Sequence, residues 1–227
     1  MQSNRIKVLA TLGVLSAAAA GLGGIGTFAG FTAQVKNADN LFSNGTLVLS
    51  STKTGGSACL STGGGTTDTN SNTSCEALFN ATVQKPGDSA TQTVTVKNEG
   101  SLAATAFKVF SAACTNADNA ESYHGTGNPC SKVQLYVQQY SDSGFTTPSA
   151  CVYGGTTTAN TCDFSDAAKT LAAFQTSYSS SSNGLAIGSG LDAGGSTYFK
   201  VGVKLPADAD NTFQGRKATT DLTWYLA

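Results

Sequence analysis

Short stretches in which apolar and polar residues alternate with period two recur along this chain, and turn chemistry separates them. In residues 89–97 (SATQTVTVK), Val94 and Val96 fall on one face and threonines on the other. In 133–140 (VQLYVQQY), Val133, Leu135 and Val137 share a face. Residues 196–205 (STYFKVGVKL) alternate in the same way before Pro206, and 218–227 (ATTDLTWYLA) carry the single Trp. Leu47 with Leu49, and Phe107 with Val109, mark two further strands over 44–50 and 102–112. Residues 185–191 read as a weak strand interrupted by Gly. Period two is the pleat of a strand with one buried face. Lys85-Pro86-Gly87-Asp88 and Asn98-Glu99-Gly100 have turn chemistry: Pro presets φ and Gly supplies a positive φ.

One short helix is expected over 165–174 (SDAAKTLAAF), with Ser165 as its N-cap and Leu171 and Phe174 three apart. Residues 51–75 read as a long polar loop, and 141–164 as turn-rich. The chain is therefore expected to be an all-β antiparallel β-sandwich with long surface loops and at most short helices. With 227 residues it is large enough for one sizeable domain. No repeat and no linker between two cores is evident.

Six cysteines fall in the order Cys59, Cys75, Cys114, Cys130, Cys151 and Cys162. Six allow about fifteen connectivities, among which sequence alone does not select. Short loops close at the least entropic cost, so nearest-neighbour pairing is the default expectation. Each bridge would then staple an excursion rich in Gly, Ser, Thr and Asn, at about 3 kcal/mol for a 15-residue loop. A zinc site is disfavoured, because no C-x-x-C occurs and His124 is the single His.

The N-terminus agrees with an oxidising compartment. Arg5 and Lys7 precede an uncharged apolar run, 8–25, and small residues follow at Gly26, Ala29 and Gly30. This is the pattern of a secretory signal. A permanent anchor is the rival, since about 18 residues just span a bilayer. The many Gly and Ala residues favour the cleavable signal, so membrane contact is expected only transiently through this segment. Cleavage after Ala29 places Thr27 at −3, which is tolerable. Cleavage after Gly30 places Phe28 there, which is unusual for a standard signal peptidase.

Charged residues make up 12% of the chain, about half the usual share. Of the 13 basic residues, Arg5 and Lys7 lie in the signal, leaving eleven against 14 acidic ones, a charge of −3. No basic cluster exceeds Arg216-Lys217, so no nucleic-acid partner is expected.

Three separated segments resemble the TasA/camelysin family of exported, biofilm-associated fibre proteins. The first is GTFAGFTAQVKNADNLFSNGTLVLS, where Phe31, Phe42, Gly45, Thr46, Leu47 and Leu49 supply the family pattern. The second is KPGDSATQTVTVKNEGSLA at 85–103, and the third NTFQGRKATTDLTWYLA at the C-terminus. The resemblance implies a jelly-roll-like sandwich. It also implies processing by a dedicated signal peptidase of the SipW type between Gly30 and Phe31, which would account for the unusual −3 residue.

The organisation implied is a signal over 1–30, an N-terminal donor-strand segment over 31–43 and a sandwich domain over 44–227. In TasA-like fibres a subunit's N-terminal segment adds as a strand to its neighbour. Phe31, Ala33 and Val35 alternate with Thr32, Gln34 and Lys36, as a strand anchored on one face should. The implied partner is the chain itself, in a head-to-tail homopolymer, because such a contact does not close. The chain departs from the family in its six cysteines, in Thr32 and Ala33 where acidic residues are common, and in its longer loops.

An enzyme is not expected. Camelysins have been described as metalloprotease-like, but no H-E-x-x-H occurs, and His124 stands alone in a Ser/Gly loop. Residues 208–211 (DADN) resemble a calcium-loop fragment without its Gly and bidentate Glu, and read better as a turn. The triplet Gly63-Gly64-Gly65 lacks the Lys-Ser/Thr of a phosphate loop. Trp224 and Tyr225 could stack on a sugar, although alternation assigns one of them to the core. No cofactor is implied. Sequons stand at Asn44, Asn72 and Asn80. The leading expectation is a secreted structural subunit of an extracellular fibre. A monomeric surface module binding carbohydrate is the alternative, and a secreted protease the least supported.

Overall fold

The computed structural model describes residues 44–63, 70–80, 85–120 and 122–227. In chain order its strands are β1 (Leu49–Lys53), β2 (Cys59–Leu60), β3 (Ser89–Asn98), β4 (Phe107–Phe110), β5 (Cys114–Asp118), β6 (Gln134–Tyr140), β7 (Pro148–Tyr153), β8 (Gly155–Thr158), β9 (Thr161–Asp163), β10 (Leu185–Ala186), β11 (Ser196–Lys204), β12 (Arg216–Thr220) and β13 (Thr223–Leu226). Two short helices interrupt them, α1 (Pro129–Lys132) and α2 (Leu171–Ser177).

The strongest alternations make the centre of the larger sheet. Its order is β2-β1-β3-β11-β6-β7, and every pair is antiparallel. Register places Phe199 opposite Val94, and Val201 opposite Val137. Side chains directly opposite share a face, so Val94, Val96, Phe199, Val201, Leu135 and Val137 form one apolar layer. All are buried. The second sheet, β10-β4-β13, supplies the other layer through Phe107, Val109, Trp224 and Leu226.

Aromatic rings join the two layers. Trp224 stacks on Phe199 with centroids 4.6 Å apart, and Phe107 lies 5.9 Å from Phe199. The helix α2 adds Leu171 and Phe174 to the same core, with Phe174 edge-on to Tyr153 at 4.9 Å. The protein is thus an all-β antiparallel sandwich. The chain passes repeatedly between sheets, from β3 to β4, back to β6, and again through β10, β11 and β13, as in a jelly roll.

Several elements differ from the sequence reading. The polar stretch after Ser50 is not all loop: β1 runs to Lys53 and turns back into β2. The turn-rich stretch 141–164 contains β7, β8 and β9. The helix begins later than expected. Ser165 does not cap it, because its N–H and hydroxyl are both given to Asp163. Thr170 is the N-cap and accepts from the Ala173 N–H at 3.2 Å. The C-terminal strand is two strands in different sheets. Between them the Asp221 carboxylate accepts the N–H groups of Ala112 and Ala113, which turns the chain. The PGD turn forms as read, with Gly87 at φ 93° and the Asp88 N–H donated to the Lys85 carbonyl.

Two buried amides hold the sheets to their loops, and neither is marked by alternation. Asn98 is fully buried. It donates to the carbonyls of Leu102 and Leu191 and accepts from the Gly100 N–H, tying three connections together. Gln138 points away from the inter-sheet core yet is only 2% exposed. It donates to the carbonyls of Ala150 and Asn160 and accepts from the Cys162 N–H. The excursion β7–β9 therefore folds over the outer face of β6. It is stapled by Cys151–Cys162. Gly154, at φ 140°, makes the bend, where a Cβ would lie 2.7 Å from that of Tyr136.

Candidate assembly edge

A strand at the border of a sheet presents unpaired N–H and C=O groups, and folded proteins blunt such borders. Four strands border the two main sheets here: β2, β7, β10 and β13. Three are blunted. Strand β2 has two residues and is tied down by Cys59–Cys75, with the Asn72 amide on the Leu60 carbonyl. Strand β7 begins at Pro148 and pairs with β6 through two register irregularities. Strand β10 has two residues.

Strand β13 is different. Thr223–Leu226 (TWYL) has no Pro, no charge and no irregularity in its register with β4. Beyond it, Ala227 and Ala106 exchange both backbone bonds, at 2.8 and 3.0 Å. Bonded and non-bonded pairs alternate along an antiparallel ladder. Tyr225 and Thr223 therefore bond to β4, while Trp224 and Leu226 direct their N–H and C=O groups the other way. Among the described residues no strand pairs with that side.

The side chains of Trp224 and Leu226 nevertheless sit in the core, 8% and 9% exposed. Two donors and two acceptors thus lie at the rim of a buried apolar layer. Strand β13 packs against β1, and Leu47, Leu49, Leu78 and Phe79 are half-buried against the same core.

The six cysteines form Cys59–Cys75, Cys114–Cys130 and Cys151–Cys162, which is nearest-neighbour pairing. Three disulfides are compatible with an extracellular location. Gly30, Phe31, Ala33 and Val35 lie outside the described residues. Trp224 is core, so it does not offer a sugar platform. His124 donates from Nδ1 to the Gly215 carbonyl at 3.0 Å, beside the Arg216–Asp118 pair. It helps close the 114–130 loop onto β12. Asp210 caps a 3-10 turn through the Thr212 N–H, and Asp208 pairs with Lys132 at 3.0 Å. Among the described residues no group of three or more His, Cys, Asp or Glu is placed to hold a metal, and no helix is long and apolar enough to cross a membrane.

No family model and no curated protein matches this chain.

The loop carboxylates give the fold an acid limb. The Ser165 and Thr157 hydroxyls, then the Ser165 N–H, hold the Asp163 carboxyl down at about 2. Asp142 is lowered by the Thr147 N–H, and Asp210 by the Thr212 hydroxyl. An unfolded Asp titrates near 3.9, roughly. A depressed carboxyl stabilises the fold fully above the unfolded value, and that contribution is lost as pH falls through the folded one. Thermal midpoints are therefore expected to fall between pH ~4 and ~2. Asp163→Asn should flatten that limb and lower the midpoint at pH 7, where the contribution of the ionised carboxyl is fully present. An unchanged slope would show that Asp163 is not one of its sources.

Proposed function

We propose that this protein is a secreted subunit of an extracellular fibre, and that residues 31–41 of one copy pair with β13 of the next. The observation that carries this reading is the unpaired side of β13. Of the four borders of the two main sheets, it alone has neither shortening, proline nor bulge, and its outward backbone groups lie against buried Trp224 and Leu226. A strand added there would satisfy those groups by main-chain bonds and bury alternate side chains, which is the logic of β-augmentation. Phe31, Ala33 and Val35 are spaced to be those side chains. The resemblance to the TasA/camelysin family supports the same reading, as does the signal-like segment ending at Gly30. Release by a dedicated signal peptidase would free the donor only after export. Three disulfides suit that compartment.

The test is electron microscopy of the processed protein beside a form lacking residues 31–36. Filaments are expected from the first and single particles from the second. A synthetic peptide of residues 31–41 should bind the shortened form and block assembly of the intact one. Filaments that persist without residues 31–36, or a processed protein that stays monomeric at high concentration, would refute the reading.

A further inference from the structure

The outer face of the larger sheet has an unusual charge pattern. Register identifies the residues that point away from the core. On β3 they are Thr91, Thr93 and Thr95, ending in Lys97; on β11 they are Tyr198, Lys200 and Lys204, with Gly202 between. Strand β1 adds Thr52, while Ser50 on the same side is buried and donates its hydroxyl to Glu99. No Asp or Glu points outward from these strands, although the chain as a whole is slightly acidic, with a formal charge of −1.

Lys97 is neutralised at one end of the face by Glu99, at 2.6 Å. Lys200 and Lys204 have no carboxylate partner among the described residues. Each instead lies over an aromatic ring, Lys200 over Tyr140 at 5.1 Å and Lys204 over Phe164 at 5.8 Å. The rings fix where the two ammonium groups stand without neutralising them. Four residues along a strand set their Cα atoms about 13 Å apart. Beside them the threonine hydroxyls form a second row, with Thr54 and Thr93 bonded at 2.6 Å.

We infer that this face binds an acidic polysaccharide, its carboxylates meeting Lys200 and Lys204 and its hydroxyls meeting the threonine row. Two fixed cations without a carboxylate partner, on strands whose outward positions carry no Asp or Glu, complement a polyanion of regular charge spacing. Nucleic acid fits less well, because base stacking needs open ring faces. Tyr136 and Tyr140 are buried, Lys200 already covers the ring of Tyr140, and Tyr198 is half-buried with Phe145 edge-to-face against it. The inference does not depend on fibre formation, since the whole face belongs to one subunit.

The experiment measures retention of the full-length protein on immobilised polygalacturonate, with dextran and a single-stranded DNA oligonucleotide as competitors. Polygalacturonate binding is expected to weaken as salt rises. It should fall at least tenfold in the double variant Lys200→Gln/Lys204→Gln. Lys217→Gln, which removes one charge from the exposed side of β12, should leave it unchanged, as should dextran. Because both lysines are on the surface, circular dichroism of the double variant should match the parent. No retention of the parent, equal retention of the double variant, an equal loss in Lys217→Gln, or stronger competition by DNA than by free polygalacturonate would each overturn the inference.

Discussion

Replacing Phe199 by alanine is expected to cost about 3–5 kcal/mol, the range for deleting a buried aromatic side chain and leaving a cavity. Phe199 lies near the centre of β11 in the larger sheet, fully buried, and touches the second sheet through Trp224 and Phe107. Val94 opposite it is β-branched, and Val201 two residues on is stiff for the same reason. A domain of this size has about 5–15 kcal/mol of stability in all, so the variant would stand near the edge of folding. Urea unfolding at pH 7 reads the effect, as a lower midpoint with an unchanged slope. Thr91→Ala is the control. It lies on the outer side of the adjacent strand and is exposed, so its change should stay within about 0.5 kcal/mol. Similar small shifts in both variants would show that the two sheets are not joined through Phe199.

The same contrast explains what could be read from the sequence. Strands β3, β6 and β11 were legible because their inward positions are Val, Leu and Phe while their outward ones are mostly polar. Burial wrote a period of two into them. Strands β2 and β7 to β9 carry no such signal, and β1 carries it only at its start, Leu49. Ser51, Thr52 and Gly155 look like loop residues because their strands are held by pairing to a neighbour, by disulfides and by the Gln138 amide, rather than by apolar burial.

The helix was legible in its apolar residues Leu171 and Phe174 but not in its start. Two hydroxyl residues compete for the cap, and only the Asp163 contact decides against Ser165. The break at Asp221 was hidden for a similar reason. Its partners, the Ala112 and Ala113 N–H groups, are over a hundred residues away. For the proposed assembly site, alternation singled out Phe31, Ala33 and Val35 as candidate donor residues. The acceptor could not be read, because a strand's place at a sheet border is a property of topology.

Removing the Cys151–Cys162 bridge tests how the outer layer is held. In the chain-entropy model a bridge closing a loop of 11 residues contributes about 3 kcal/mol. Gln138→Leu breaks the second tie, leaving the Cys162 N–H without its acceptor, at about 1–3 kcal/mol. Both ties hold one segment over β6, so their effects should not add. Once Cys151→Ala/Cys162→Ala has loosened the segment, water can reach the groups that Gln138 satisfied, and the second change should cost less.

Tyr136 reports the same event independently. Burial beneath this layer, helped by Tyr140, pushes its hydroxyl up to about 12, and Gly154 and Phe164 lie directly against it. Loosening the segment hydrates the ring. The phenol should then titrate closer to the ordinary value of about 10, visible as phenolate absorbance appearing at lower pH. The double-mutant cycle and the titration must agree. Strictly additive losses with an unshifted Tyr136 would mean that the bridge and the amide stabilise separate parts of the fold, and that the layer over β6 stays in place without the disulfide.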